Sequence, residues 1–234
     1  MRNLTLAAMR QTLPFSVLHL LSTLWLAVLL AMPAAAQDWE QVAAELLQRP
    51  EFKALPLQIR TTRVQSLGGS PIEVELQTGL CMLHLRTRGH PATTQLLALA
   101  PRQDHTLWMQ AILVHEIAHC WRWQEDAPAL QKLAALTSHP QADPRTVRQA
   151  VRQHQREEAF ADVAALAWVQ RVAPEHFQSL LDTFQRLRSD LRLSVGAHDT
   201  RLALERVRRV GFPPGVPPFQ AASMLLERVQ AGSD

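Results

Sequence analysis

Five residues near the middle of the chain, His115-Glu116-Ile117-Ala118-His119, constrain it more than any other stretch. The apolar spacing around them predicts a helix that starts after Asp104 and runs to about Trp123. Residues four apart on a helix stand one turn above each other, so both imidazoles leave the same face and can share a metal ion. Glu116 is about 100° around the helix from His115. There its carboxylate can take a proton from a water that the metal activates. Trp108, Ile112, His115 and His119 continue one inward stripe. Imidazoles in line with core residues need polar partners, and a metal ion supplies one. The competing reading is an amphipathic helix with two ordinary histidines, and further ligands decide between the two.

Those ligands are sought on a second helix. Asp143 reads as a cap and Pro144 as the first turn of a long helix to Val172, after a loop over His139–Asp143. Its inward stripe is Val147, Val151, His154, Glu158, Ala161, Ala165 and Val169, with Asp162 one turn beyond Glu158. A carboxylate facing a core is costly unless it holds a cation or accepts hydrogen bonds. Zinc accepts His, His and Glu as three protein ligands and keeps a fourth position open. Glu158 is therefore assigned as the third ligand. Asp162 is placed to accept the second ring N–H of a ligand histidine and so to fix its tautomer. Glu157 is the alternative ligand, about a quarter-turn off the stripe. The non-metal reading of Glu158 is a salt bridge to the row Arg145, Arg148, Arg152 and Arg156. That row itself reads as a solvated helix face.

The N-terminus predicts where this chemistry takes place. Arg2 and Arg10 precede an apolar run from Leu13 to Met32, which ends in Ala34-Ala35-Ala36 before Gln37-Asp38. This is the layout of a secretory signal, residues 1–36, cleaved after Ala36, with an uncleaved anchor as the alternative. The expected product is one domain over 37–234, exported to the periplasm or the medium, with no membrane span in the mature chain. Loss of two arginines and no acidic residue lowers the formal charge from +3 to +1. The basic pI therefore gives no reason to expect a nucleic-acid partner. In an oxidising compartment the two cysteines, Cys81 and Cys120, are expected to form a disulfide between a strand and the metal helix. Two buried thiols are the alternative.

Strand patterns come early and helices late, which indicates an α+β domain. Asp38–Arg49 reads as a helix with Trp39, Val42, Ala43 and Leu46 on one face. Leu57–Gln65, Ile72–Gln77 and Leu80–Arg86 read as strands of a small antiparallel sheet. Gly68–Pro71 and Thr78-Gly79 read as turns, and Leu96–Ala100 as a further strand or loop. Helices then follow at about 127–137, 174–190, 199–210 and 219–230.

H-E-x-x-H followed by E-x-x-x-D on a second helix resembles the gluzincin metallopeptidases, the thermolysin-like clan. Here the motifs are His115–His119 and Glu158-Ala159-Phe160-Ala161-Asp162. The wording of the second is similar to the HtpX-like and prenyl-protease branch, which also carries a later His with Thr and Arg shortly after it. His198-Asp199-Thr200-Arg201 is similar, although it lacks the proline that usually follows the histidine. The resemblance implies a zincin-like fold, one zinc ion per chain, and a peptide or protein substrate. It also implies Glu116 as general base. Gluzincins commonly stabilise the oxyanion with a tyrosine or a histidine, and this chain has no tyrosine. His198 is then the expected donor and Arg201 the second choice, beside the plainer reading of His198 as a helix-start residue. The strand Leu80–Arg86 is expected to border the cleft and pair with an extended peptide. A non-catalytic zinc scaffold and an amidase acting on a cell-wall bond are the alternatives in function.

Overall fold

Two long helices pack along each other at the centre of the molecule, and the remaining elements are laid against them. In the computed structural model the described residues are 38–62, 70–77, 79–137, 143–189 and 198–230. They belong to one compact unit, Asp38–Asp234. The proposed signal segment, the Gly68-Gly69 turn and the loop at His139 lie outside them.

The chain enters through α1 (Trp39–Leu47), capped by Asp38, whose carboxylate accepts from the Glu40 amide. Trp39, Val42, Ala43 and Leu46 are buried on its single apolar face. A short α2 (Pro50–Lys53) leads to β1 (Leu57–Thr61), β2 (Ile72–Gln77) and β3 (Leu80–Leu85). The expected antiparallel sheet is instead mixed. Its order is β1-β3-β2, with β1 parallel and β2 antiparallel to β3. The composition of the strands explains the order. β3, Leu-Cys-Met-Leu-His-Leu, is buried over most of its length and suits the centre, whereas β1 and β2 expose most of their residues and suit the edges. Gly79, at φ 75°, closes the β2–β3 hairpin in a conformation that glycine takes without strain.

The segment read as a strand or loop near Leu96 belongs to a helix, α3 (Pro91–Ala98). Pro91 opens it, and the Nδ1 of His90 accepts from the Ala92 amide at 3.2 Å, which serves as a cap. A 3-10 turn at Arg102–Asp104 then feeds α4 (His105–Thr137). This helix is one continuous rod where the sequence indicates a break near Trp123. The chain passes Pro128 without leaving the helix, and the Ala, Leu, Gln and Lys residues that follow are strong helix formers.

α5 (Pro144–Val172) starts on Asp143, whose Oδ1 accepts from the amides of Arg145 and Thr146 at 2.8 and 3.2 Å. Its first turns project beyond the core, so Val147 is exposed and is not part of the buried stripe. From Phe160 to Val169 the helix is buried on every side, with alanines at four of the ten positions. That is why it can lie centrally between neighbours. The 3-10 turn Pro174–His176, α6 (Phe177–Ser189), α7 (Arg201–Val210) and α8 (Pro218–Gln230) complete the described chain.

Aromatic contacts fasten these layers. Phe52 of α2 meets Trp168 of α5 at 5.1 Å and Phe219 of α8 at 5.8 Å between ring centroids. Trp108 of α4 meets Phe184 of α6 at 4.9 Å. Cys81 of β3 and Cys120 of α4 are joined in a buried disulfide with a Cα–Cα distance of 5.8 Å. It attaches the central strand to the helix that carries the two histidines. Among the described residues, no helix is long and apolar enough to cross a membrane.

Candidate metal centre

α4 and α5 pack against each other, and the histidines of one face the carboxylates of the other. Asp162 is fully buried, and its Oδ1 lies 2.9 Å from the Nδ1 of His115. A carboxylate oxygen can only accept, so this contact places the ring proton of His115 on Nδ1 and leaves Nε2 with its lone pair. That Nε2 lies 3.3 Å from the Nε2 of His119. Glu158 completes a triangle, with Oε2 3.7 Å from His115 Nε2 and Oε1 3.5 Å from His119 Nε2.

These distances match what a metal ion would require. A tetrahedral ion with bonds of about 2.0–2.1 Å separates its donor atoms by about 3.3–3.4 Å. The two ring nitrogens, 3.3 Å apart, meet that spacing, and Glu158 approaches each of them through a different oxygen at 3.7 and 3.5 Å. His115, His119 and Glu158 therefore form a group that can hold a metal ion.

The charge balance suits the same purpose. Burial pushes the His119 imidazole down to about 3, helped by the adjacent His115, so the ring is neutral at physiological pH. Burial also works against His115, but the hydrogen bond and charge of Asp162 outweigh it and raise its pKa. Glu158 is held well below the usual carboxylate range, because the imidazoles of His154 and His198 and then the charges of His115 and His119 overcome its burial. Asp162 is held down as well, against its burial, chiefly by the charge of Arg188. Glu116 behaves in the opposite sense. Burial pushes its carboxyl up to about 7, with Glu158 adding to the shift and His115 opposing it.

Two residues hold the carboxylates: Arg188, which no motif includes, and Thr200, the threonine of the His198–Arg201 motif. Arg188 of α6 is buried and donates from Nε to Asp162 Oδ2 at 2.8 Å and from Nη2 to Asp162 Oδ1 at 2.6 Å. The same Nη2 reaches Glu158 Oε2 at 3.3 Å. Thr200, just before α7, donates from Oγ1 to Asp162 Oδ2 at 2.6 Å. The cation beside Glu158 is thus Arg188, while Arg145, Arg148, Arg152 and Arg156 are exposed. Glu157 is turned away into a two-point pair with Arg122 at 3.1 and 3.2 Å, which leaves Glu158 as the carboxylate of the cluster.

His198 does reach the cluster, with Nδ1 2.9 Å from Glu158 Oε2. Arg201 does not. It lies at the surface and pairs with Asp199 at 2.8 and 2.9 Å, because α7 begins there and turns its side chain to solvent. Asp199 also accepts from the Arg201 amide at 3.4 Å, a weak start to that helix.

The cluster opens into a cleft of about 750 Å³ lined by Ile112, His115, Glu116, His119, Glu158 and His198, among others. β2 also lines it, through Ile72, Val74 and Leu76. β3, expected at this border, cannot take a peptide, because β1 and β2 already occupy both of its edges. β2 pairs on one side only among the described residues. No model of a known protein family matches the chain, and no curated protein or solved structure matches it.

Proposed function

We propose that the protein is an exported, zinc-dependent peptidase of the gluzincin type, with a zincin-like arrangement of helix pair, edge strand and cleft. The observation that carries this reading is the convergence of His115, His119 and Glu158 at donor separations of 3.3–3.7 Å, with Glu116 beside them on the cleft wall. When bound, zinc supplies Lewis acidity and brings water toward ionisation near neutral pH. The remaining work belongs to the side chains. Asp162 keeps His115 in the tautomer whose Nε2 can ligate, and Arg188 and Thr200 keep Asp162 in place.

Glu116 is the general base. Its carboxylate stands on the cleft wall beside the two histidines, where it can take a proton from the attacking water and return it to the leaving amine. His198 stands at the cleft wall, where an oxyanion donor is needed. With its Nδ1 proton given to Glu158, it can donate from Nε2 only when the ring is protonated. An extended peptide is accommodated along the edge of β2 that is unpaired among the described residues, main chain to main chain.

The test compares the wild type with Glu116→Gln for zinc content and for cleavage of a peptide library. Glutamine keeps the shape but cannot accept the proton. Zinc content should therefore be unchanged and turnover should fall by roughly 10²–10⁴-fold. Equal cleavage by both proteins would place any peptidase activity elsewhere.

A further inference from the structure

Glu158 has more nitrogen neighbours than one metal centre uses. Besides His115, His119 and Arg188, its carboxylate is approached by His154, with Nε2 3.6 Å from Oε1, and by His198, with Nδ1 2.9 Å from Oε2. One donor atom from each of His154, Glu158 and His198 falls within 4.8 Å of the others. His154 precedes Glu158 by one turn of α5, the same spacing that sets His115 above His119 on α4. The two rings meet edge to face with centroids 5.6 Å apart. They stand at the rim of the cleft, their side chains 46% and 47% exposed, while Glu158 is buried at 8%.

We propose that His154, His198 and Glu158 form a second divalent-cation site at this rim, with the Glu158 carboxylate bridging between it and the inner centre. The donor set selects the ion class. Two imidazoles and one carboxylate suit zinc, cobalt, nickel or copper(II), whereas magnesium and calcium require a shell of oxygens. The rim ion is held less tightly than the inner one. Its two histidines give up side-chain freedom on binding, and two dications drawing on one carboxylate repel each other. The rim site also takes the His198 nitrogen that otherwise donates to Glu158, so rim occupancy and the hydrogen-bonding role of that ring are mutually exclusive.

The bridge rests on the reading of His115, His119 and Glu158 as the inner centre, so the experiment separates the two. Purified protein is stripped with a chelator and titrated with zinc by equilibrium dialysis, with far-UV circular dichroism as a check on folding. The wild type should take up about two ions per chain. His154→Ala, His198→Ala and the more conservative His198→Gln should each take up about one, the tighter. His119→Ala should also retain about one ion, the weaker. A wild type that saturates at one ion, with unchanged affinity in the His154 and His198 variants, would overturn the rim site and leave those rings as hydrogen-bond partners only. Two ions in His154→Ala would overturn it as well, by putting the second ion elsewhere. If His119→Ala binds zinc like the wild type while the rim variants lose an ion, the rim site stands and the inner assignment fails.

Discussion

Arg188 carries the buried charge of the site. It is 7% exposed and faces two carboxylates, Asp162 and Glu158, that are themselves buried. Removing one partner of such a cluster leaves uncompensated charge in a poorly solvated place, so Arg188→Met should cost about 3–5 kcal/mol in metal-free protein at neutral pH. The sign with pH follows from the carboxylates. Their folded pKa values lie below the ordinary 3.8 and 4.5, so their stabilisation is complete above those values and is lost as the pH falls through the folded ones. The deficit of Arg188→Met should therefore be largest at pH 7 and narrow below about pH 4.5. Urea melts at both pH values check this, and a deficit that stays constant would contradict it. That His115, His119 and Glu158 form a group able to hold a metal was legible in the sequence, because helical spacing aims them to one face of each helix. Arg188 was not, since it comes from a third helix. Its signal was nevertheless present: Leu180, Leu181 and Phe184 form the buried stripe of α6, and Arg188 continues that stripe at the next i+4 position. Arg201 misled because its place beside His198 in sequence says nothing of the direction in which α7 begins.

At the scale of elements, the disulfide has the largest consequence. It fixes α4 to β3 across a sequence separation of 39 residues. Restriction of the unfolded chain by such a loop stabilises by about 4 kcal/mol at most. Cys81→Ala/Cys120→Ala should lose up to that amount, and its zinc affinity should fall too, because Cys120 adjoins His119 and the helix is no longer tied to the sheet. Thermal melts and metal titration of the double variant measure both effects, and an unchanged zinc affinity would show that the strand does not steady the ligands. Strand positions, the hairpin at Gly79 and the first helix could be read from alternation and turn residues. Strand order could not. Parallel pairing of β1 with β3 depends on which strand is buried on both faces, and that emerges only once α4 packs against the sheet. The length of α4 was misjudged for a local reason, since proline is normally a helix stop and Pro128 is passed without one.

For the whole molecule, the proposed function requires export of the chain and a metal ion held at the wall of an open cleft. If the proposed export signal is cleaved after Ala36, protein recovered from the periplasm or medium begins at Gln37. Intact-mass measurement checks it, and a mass that still includes Met1 would favour an anchored protein. The central claim is that His115, His119 and Glu158 hold zinc through two imidazoles and one carboxylate. X-ray absorption at the zinc edge, on protein loaded with a single equivalent, tests it most directly. The account predicts nitrogen and oxygen neighbours at about 2.0–2.2 Å, with the outer-shell pattern of two imidazoles and no sulfur. A sulfur neighbour at about 2.3 Å, or a shell without imidazole, would contradict it.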